Sequence, residues 1–370
     1  MDFDLRGRTI LLTMAGSHAY GTSSPASDVD VKGVCVPPSK YRDGFLHSFE
    51  QAESKPEMAV FIDLLPDGPR QVAEATHLDG TVYDVRKFVK LAADANPNIL
   101  DCLFCDDQDV LLADPAGRML RDARSAFISK SALYTFRGSA TSQMKRILTH
   151  RKWLLNPPTY QPSRSGYDLP NRTVIPADQL QAAQDAIQKK IDSWEIDFGD
   201  LDEATKIFIY EQISAYLAEF TLHFDQRWLA AARSIGYDEN FIALLTRERQ
   251  YKAAMDNWTR YLTWKAERNP VRAALEAKYG YDCKHAMHLV RLLRMCREIL
   301  VDGTVHVRRP DAAELLAVRD GAWDFDRLMA WAEKEDTELL ALGKTSKIRI
   351  KPDKEALDDL CCRIVRSLPD

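Results

Sequence analysis

Four residues near the start of the chain have types and spacing suited to phosphate chemistry. Gly16 and Ser17 follow an apolar run, and Asp28 and Asp30 lie one residue apart in a second strand-like run. Because alternate side chains of a strand share a face, the two carboxylates project together. Adjacent carboxylates repel each other unless a cation, most simply a divalent metal, lies between them. A Gly-Ser turn offers N–H groups and a hydroxyl to phosphate oxygens, so the pattern predicts metal-assisted nucleotidyl transfer.

Nucleotidyl transfer with two metal ions generally needs a third carboxylate on a neighbouring strand. Asp79 lies within a strand-like segment, whereas Asp84 falls at the junction with a helix, where N-capping also explains it. Asp63 is a more distant candidate. We therefore predict a two-metal Mg²⁺ or Mn²⁺ site held by Asp28, Asp30 and Asp79, with Asp84 as the alternative third ligand.

The same N-terminal segment supplies candidate nucleotide-binding residues. Gly16 has no Cβ, so its backbone can approach a phosphate closely, and Ser17 can bind the terminal phosphates through its hydroxyl and N–H. Tyr20 extends this motif, either as a ligand contact or as a packing residue. Lys32 can neutralise phosphate charge, although a lysine exposed on a strand needs no such role.

A second candidate group lies on a helix that Asp282 is placed to N-cap. Lys284, His288 and Arg291 recur at i, i+4 and i+7, which places them on one face. A cationic stripe suits a triphosphate or a nucleic-acid backbone. The alternative is a buried helix whose His and Arg side chains have internal partners. Zinc binding by His285 with His288 lacks an acidic or cysteine partner at useful spacing.

The elements that must position these residues follow two patterns along the chain. Residues 1 to about 115 alternate strands and helices, and the remainder is helical apart from a proline-rich connection at 156–177. The strands are predicted at 8–14, 28–36, 58–64 and 77–83. The helices are predicted at 84–93, 177–196, 202–234, 238–267, 270–279, 283–302, 311–320, 324–341 and 353–367.

These patterns predict an α+β protein built from two domains. Residues 1–115 form a nucleotidyltransferase catalytic domain, with a mixed sheet and flanking helices. Residues 116–370 form a mostly α-helical domain that covers the active-site cleft.

Composition limits the classes of partner. A formal net charge of −5 gives no overall basic signal, so nucleic acid would have to bind a local patch. No apolar run approaches the length of a membrane span, and acidic residues before the first apolar run do not fit a signal peptide. The seven cysteines, scattered through apolar or helical segments, are typical of reduced thiols. We expect a cytoplasmic protein with no membrane contact.

The N-terminal motif, Gly16-Ser17 followed by Asp28-Val29-Asp30-Val31-Lys32-Gly33, resembles the signature of the DNA polymerase β superfamily of nucleotidyltransferases. Other segments narrow the resemblance to one branch, the RNA repair pathway DNA polymerase β (RlaP-type) family of phage and bacterial predicted nucleotidyltransferases. Those segments are 83–88, 96–100, 143–158, 280–292, 309–310 and 318–321.

The resemblance implies a polymerase β-like fold, Mg²⁺ dependence and use of a nucleoside triphosphate such as ATP. It places Asp28 and Asp30 at the family's metal positions and Gly16 with Ser17 at its phosphate turn. It also supports Asp79, which stands where the family tends to carry an acidic residue. His18 stands where the family often has arginine, so an arginine contact to phosphate is not expected there.

Together these features predict transfer of a nucleoside monophosphate to an acceptor hydroxyl, with release of pyrophosphate. The predicted acceptor is an RNA 3′ end, with tRNA among the candidates. One alternative is a protein side-chain hydroxyl, which would make the chain an AMP- or NMP-transferring regulator or toxin. Another is a catalytically idle module that binds nucleotide or RNA, which predicts that no carboxylate lies within metal reach of Asp28 and Asp30.

Overall fold

The chain packs as two units, one of which is interrupted in sequence by the other. The computed structural model describes residues 2–24, 27–193 and 224–368. Unit 1 comprises Met1–Asn156 and Asn269–Asp370, and unit 2 comprises Pro157–Arg268. The predicted functional boundary at residue 115 stays a prediction, because packing units and catalytic domains are different properties.

Unit 1 contains a mixed five-stranded sheet, which confirms the predicted α+β class. The strands are β1 (Thr9–Met14), β2 (Asp30–Cys35), β3 (Gln51–Ala52), β4 (Asp79–Asp84) and β5 (Val110–Ala113), in the order β3-β4-β2-β1-β5. β2 pairs parallel with β4, and the other pairings are antiparallel. β1, the second strand from one edge, is buried along its whole length.

Short helices connect the strands, and longer helices cover the sheet. The helices of unit 1 are α1 (Leu5–Arg8), α2 (Gly16–Tyr20), α3 (Ser39–Arg42), α4 (Lys55–Met58), α5 (Asp67–Ala75), α6 (Val85–Ala93), α7 (Pro97–Phe104), α8 (Pro115–Asp122), α9 (Ser131–Leu155), α13 (Pro270–Tyr279), α14 (Cys283–Asp302), α15 (Ala312–Arg319), α16 (Phe325–Thr345) and α17 (Lys354–Arg366). Those of unit 2 are α10 (Ala177–Asp192), α11 (Phe224–Ser234) and α12 (Glu239–Glu267).

Two hydrophobic clusters lie on opposite faces of the sheet, as the period-two alternation of strand side chains requires. One joins Val34 and Phe88 to residues of the long helices, including Phe136 of α9 and Leu289 of α14. The other contains Val31 and the residues of the segment between β3 and β4. Helices from both ends of the sequence therefore share one core with the strands that carry the candidate carboxylates.

Unit 2 has its own core. Ile187, Trp228 and Leu245 are buried together between its three described helices. Arg164, in a short 3-10 turn, binds both carboxylate oxygens of Glu248, at 3.0 and 2.5 Å. That buried ion pair joins the proline-rich connection to α12.

One predicted strand is wrong and two strands were not predicted. Residues 58–64 end α4 and then form a 3-10 helix, Ala59–Leu64. Ser54 and Glu57 form a capping box that starts α4, with Pro56 in its first turn, and this local signal outweighs the apolar run. The short strands β3 and β5 were missed. The predicted helix 202–234 lies partly outside the described residues, as does the end of the helix 177–196.

Among the described residues, no helix combines the length and the apolar character needed to cross a membrane.

Candidate active site

The three predicted metal ligands lie together at one end of the parallel strand pair. Asp30 begins β2 and Asp79 begins β4, and their Cα atoms are direct partners in the register. Asp28 is exposed just before β2. Burial raises the pKa of Asp30, and the neighbouring charges of Asp79 and Asp28 raise it further. The structure therefore brings the three carboxylates close enough to repel one another, which is the arrangement that a bound cation relieves.

The two other candidates for the third carboxylate lie elsewhere. Asp84 is at the opposite end of β4, about 16 Å from Asp79 at the usual rise of a strand. It is buried, and it accepts hydrogen bonds from the backbone N–H of Arg86 at 2.7 Å and from its guanidinium at 2.9 Å. Asp63 pairs with Arg6 at 2.5 Å on an exposed surface. Both carboxylates thus have structural partners away from Asp30.

The Gly-Ser turn lies directly against Asp30. Gly16 has a φ of +58°, in the left-handed region, and a Cβ added there would lie 2.5 Å from the Asp30 Oδ2. The adjacent Ala15 N–H donates to the Asp30 carbonyl at 2.8 Å. Only glycine satisfies both the backbone conformation and the close approach. Asp30 is thereby held between the turn that follows β1 and the Asp79 carboxylate on β4.

Two cavities meet at this point. The first, here called the turn cavity, has a volume of about 520 Å³. It is lined by Gly16, Ser17, Ser24, Ser27, Asp28, Asp30, Asn269, Arg272, Leu275, Glu276, Cys283, Lys284, Met287, His288 and Arg319. The second, here called the strand cavity, has a volume of about 530 Å³ and lies over β2 and β4. Gly16, Asp30 and His288 line both cavities.

The strand cavity is lined mainly by polar side chains and by backbone. Its lining residues are Ala15, Gly16, Tyr20, Asp30, Val31, Lys32, Gly80, Thr81, Pro97, Asn98, Ser139, Ser142, Gln143, Arg146, His285, His288, Arg291 and Leu292. Both volumes fall in the range of small-molecule sites.

Helix α14 presents its predicted cationic face to these cavities, but its residues differ in surroundings. Lys284 is exposed and makes no ion pair with a described residue, although its charge reaches Asp30. His288 lies at the junction of the cavities, and burial lowers its pKa to about 3, helped by the charges of Arg291 and Lys284. His288 is therefore neutral at pH 7. Lys284 remains the residue of this face with an uncommitted charge.

Tyr20 and Arg291 belong to a buried network. The Arg291 guanidinium lies 3.8 Å from the centre of the Tyr20 ring and 3.5 Å from the Asp101 carboxylate. The Tyr20 hydroxyl donates to the same carboxylate at 2.5 Å. These contacts join α2, α7 and α14 behind the phosphate turn. They are the internal partners that the sequence left open as the alternative for this face.

Lys32 lies on β2 two residues after Asp30. Its Nζ donates to the Asn98 carbonyl at 3.3 Å, and burial lowers its pKa. Its partner in the register is Thr81, so it follows the Asp30–Asp79 pair along the sheet. Lys32 thus contributes a cation to the strand cavity.

Three arginines outside the predicted nucleotide-binding residues also lie at the site. Arg272 and Arg319 line the turn cavity, and Arg146 lines the strand cavity. Arg146 and Arg319 make no ion pair with any described residue, so their charges are available to an anionic ligand. No local pattern marks Arg272 or Arg319, so sequence reasoning missed both; the fold brings them from α13 and α15 to the turn cavity.

From the sequence we consider zinc binding by His285 with His288, but the structure places other possible metal ligands beside His285. His285 lies near His150 and Asp282, and one ligand atom of each lies within 4.8 Å of the others. These residues could hold a metal ion, but Arg272 also donates a hydrogen bond to the Asp282 Oδ2. An arginine on that oxygen already supplies the positive charge that a metal would provide.

A glycine-bounded phosphate turn beside carboxylates on adjoining strands is typical of nucleotidyl transfer. Residues 4–160 match the model of the RNA repair pathway DNA polymerase beta family. The match covers less than half of the chain, and it shows that this segment is similar to polymerase β-like nucleotidyltransferases. It ends before α14, so the resemblance of residues 280–292 to this family stays a prediction.

The chain is also similar to a curated phage protein. An uncharacterized 38.9 kDa protein in the nrdC–mobD intergenic region of Enterobacteria phage T4 is 28% identical over 155 residues. The aligned segment covers 38% of this chain and 43% of that protein, so the chain matches less than half of its relative's length. No solved structure gave a significant match.

Proposed function

We propose that this protein transfers a nucleoside monophosphate from a nucleoside triphosphate to an RNA 3′ hydroxyl, with tRNA among the candidate acceptors. The observation that carries the proposal is the position of Asp30. It lies between the Gly16 turn on the β1 side and Asp79 on the β4 side. A phosphate-binding turn and a further carboxylate therefore flank the same metal ligand.

The donor set at this position fits a hard divalent cation. Carboxylate oxygens are the ligands that Mg²⁺ and Mn²⁺ prefer. The raised pKa of Asp30 reflects its burial first and then the negative charges of Asp79 and Asp28. Asp28, Asp30 and Asp79 would hold two Mg²⁺ or Mn²⁺ ions, which when bound neutralise the triphosphate and activate the attacking hydroxyl. Polymerase β-like nucleotidyltransferases generally use divalent metals.

The protein's own groups would bind and orient the two substrates. The Gly16 and Ser17 backbone and the Ser17 hydroxyl bind phosphate oxygens, and Lys284 and Arg319 face the same space from the helices. The acceptor hydroxyl attacks the α-phosphorus, and its proton passes to Asp79 or to water. The bond from the α-phosphorus to the bridging oxygen breaks, and pyrophosphate leaves with that oxygen.

We assign one substrate to each cavity on the basis of its charge and lining residues. The turn cavity holds Ser17 with Lys284 and Arg319, which suits a triphosphate. The strand cavity holds Lys32 and Arg146 together with hydroxyl and amide side chains, which suits a nucleic-acid backbone. Because the net charge of the chain is −5, RNA would have to bind a local basic patch, and these cations supply one. The pairing of Asp79 with Asp30 in the sheet register argues against the idle-module alternative, which predicts no carboxylate within metal reach.

The proposed reaction takes place in the cytoplasm. None of the seven cysteines, all of which lie within the described residues, is paired in a disulfide. Six of them are buried. Unpaired thiols suit a reducing compartment.

The test is transfer of label from each α-labelled nucleoside triphosphate in the presence of Mg²⁺ and total cellular RNA. We expect label in RNA with the wild type and none with Asp28→Ala/Asp30→Ala. Asp63→Ala is a matched control, because that carboxylate pairs with Arg6 away from the site. Label on protein instead of RNA would support the alternative acceptor. No transfer, with nucleotide still bound, would refute the transferase.

A further inference from the structure

A single buried carboxylate touches residues that line both cavities. Asp282 is fully buried and is the N-cap of α14. Its Oδ1 accepts the backbone N–H of His285 at 3.1 Å. Its Oδ2 lies 3.1 Å from His150 Nδ1 and also accepts a hydrogen bond from Arg272. His285 Nε2 lies 3.6 Å from the same oxygen.

The interactions around Asp282 favour its charged form. Although burial by itself would raise the pKa of this carboxyl, its interactions with His150, His285 and Arg272 hold that pKa well below its ordinary value. A buried carboxylate that is paired with several donors holds those donors in place, because moving any one of them weakens the pairing of the buried charge. Asp282 is therefore a rigid anchor for the side chains around it.

The two arms of this anchor reach different cavities. Arg272 lines the turn cavity. His285 lines the strand cavity, where its Nδ1 lies 2.7 Å from Gln143 Oε1. Asp282 itself lines neither cavity. A second buried carboxylate, Glu276, contacts the Arg272 arm, with its Oε1 3.3 Å from Arg272 Nε.

We propose that Asp282 is a positioning residue that couples the two substrate sites, holding Arg272 toward the nucleotide and His285 toward the acceptor. This inference rests on the proposed function, because it takes the turn cavity as the nucleotide site and the strand cavity as the acceptor site. Arg272 binds phosphate oxygens with N–H groups of its guanidinium other than those directed at Asp282 and Glu276. His285 contacts the acceptor backbone beside Gln143 and Arg146.

The experiment compares two substitutions that keep side-chain shape. Asp282→Asn keeps an oxygen for the helix cap but places an amide N–H₂ against the His150 and Arg272 donors. Glu276→Gln removes a charge beside Arg272 and leaves the donors of Asp282 in place. KM for the nucleotide, KM for a labelled oligoribonucleotide acceptor and kcat are measured on the full-length protein, with melting curves to establish folding.

We expect Asp282→Asn to raise both KM values by about tenfold, the change that loss of one charge-assisted hydrogen bond produces. Glu276→Gln should raise only the nucleotide KM and leave the acceptor KM within about twofold. An effect of Asp282→Asn on one KM alone, or on kcat alone, would overturn the coupling. Stoichiometric zinc in the purified protein, lost with His150→Ala, would also overturn it in favour of a metal site.

Two further measurements apply if Asp282→Asn does not fold or if the wild type shows no transfer. If Asp282→Asn does not fold, Arg272→Gln and His285→Gln take its place, and each should weaken one substrate only. If no transfer occurs, equilibrium binding of α,β-methylene-ATP and of the oligoribonucleotide gives the same comparison without chemistry. Binding of both ligands by the wild type, weakened together by Asp282→Asn, would uphold the coupling while the transferase fails. Wild-type protein that binds neither ligand would overturn both proposals.

Discussion

Replacing Asp79 by asparagine should stabilise the metal-free protein while removing a ligand that the proposed reaction needs. Adjacent strands lie about 5 Å apart, and two unit charges at that distance repel by about 3 kcal/mol at an effective dielectric constant of about 20. The Asp79 side chain is 46% exposed, so water and salt screen much of this repulsion. We expect about 1 kcal/mol of stabilisation to remain.

The assay is thermal unfolding at neutral pH and low ionic strength, with EDTA or with excess Mg²⁺. A gain of about 1 kcal/mol raises Tm by about 2 °C for a unit of this size. In EDTA, Asp79→Asn should melt above the wild type. In Mg²⁺ the order should reverse, because the wild type gains the free energy of metal binding and the variant loses a ligand. High salt should shrink the difference seen in EDTA.

Asp84→Asn is the matched control, since Asp84 lies on the same strand but serves as a helix cap and as the partner of Arg86. It should destabilise the protein equally with and without Mg²⁺. The reasoning is refuted if Asp79→Asn destabilises the metal-free protein as Asp84→Asn does, or if Mg²⁺ raises the Tm of both proteins equally.

Three other outcomes follow from the same contacts. Gly16→Ala should lower the free energy of unfolding by about 1–2 kcal/mol, because residue 16 has a left-handed backbone conformation; calorimetry measures this loss. The new Cβ should also displace Asp30 and abolish nucleotide binding, which a nucleotide titration measures. Normal binding would contradict the close approach of Gly16 to Asp30. Because folding raises the pKa of Asp30, the folded state binds the Asp30 proton more tightly than the unfolded state does. The Tm of the metal-free protein should therefore rise as pH falls from above the folded pKa toward 3.8, while stabilisation by Mg²⁺ declines. An increase in Mg²⁺ stabilisation over the same pH range would contradict this sign. Arg309→Met should lower the free energy of unfolding by about 3–5 kcal/mol, measured by denaturant titration. The reason is that this buried arginine pairs with Glu298 at 2.5 Å and with Asp311 at 2.8 Å. A loss below about 1 kcal/mol would mean that these ion pairs are not maintained in solution.

The sequence predicts the carboxylate arrangement because short-range periodicity determines it. Apolar positions around Asp28 and Asp30 alternate with period two, and the strand carrying Asp79 ends at the capping residue Asp84. These signals gave β1, β2 and β4, and they favoured the third carboxylate that the register places beside Asp30. Whether the three residues bind metal stays a prediction.

The remaining features depend on information that no short window contains. Residues 60–64 fit a strand by hydrophobicity, but Phe61 alone of their apolar residues is fully buried, as a short 3-10 helix permits. Arg272 and Arg319 acquire their place in the turn cavity only after α13 and α15 pack in unit 1. Site residues that come from helices far apart in sequence have no characteristic spacing, so a sequence pattern cannot predict them.

The insertion of unit 2 also determines the order in which a ribosome completes this site. Lys284 is synthesised about 200 residues after Asp79, which corresponds to about 10–40 s at about 5–20 residues per second. During that interval the nascent chain has its repelling carboxylates but lacks the long helix that buries the same face of the sheet. Unit 2, which is the single segment Pro157–Arg268, can fold first. Unit 1 is thus the last part of the chain to mature, and its apolar sheet face is the part most in need of a chaperone during synthesis.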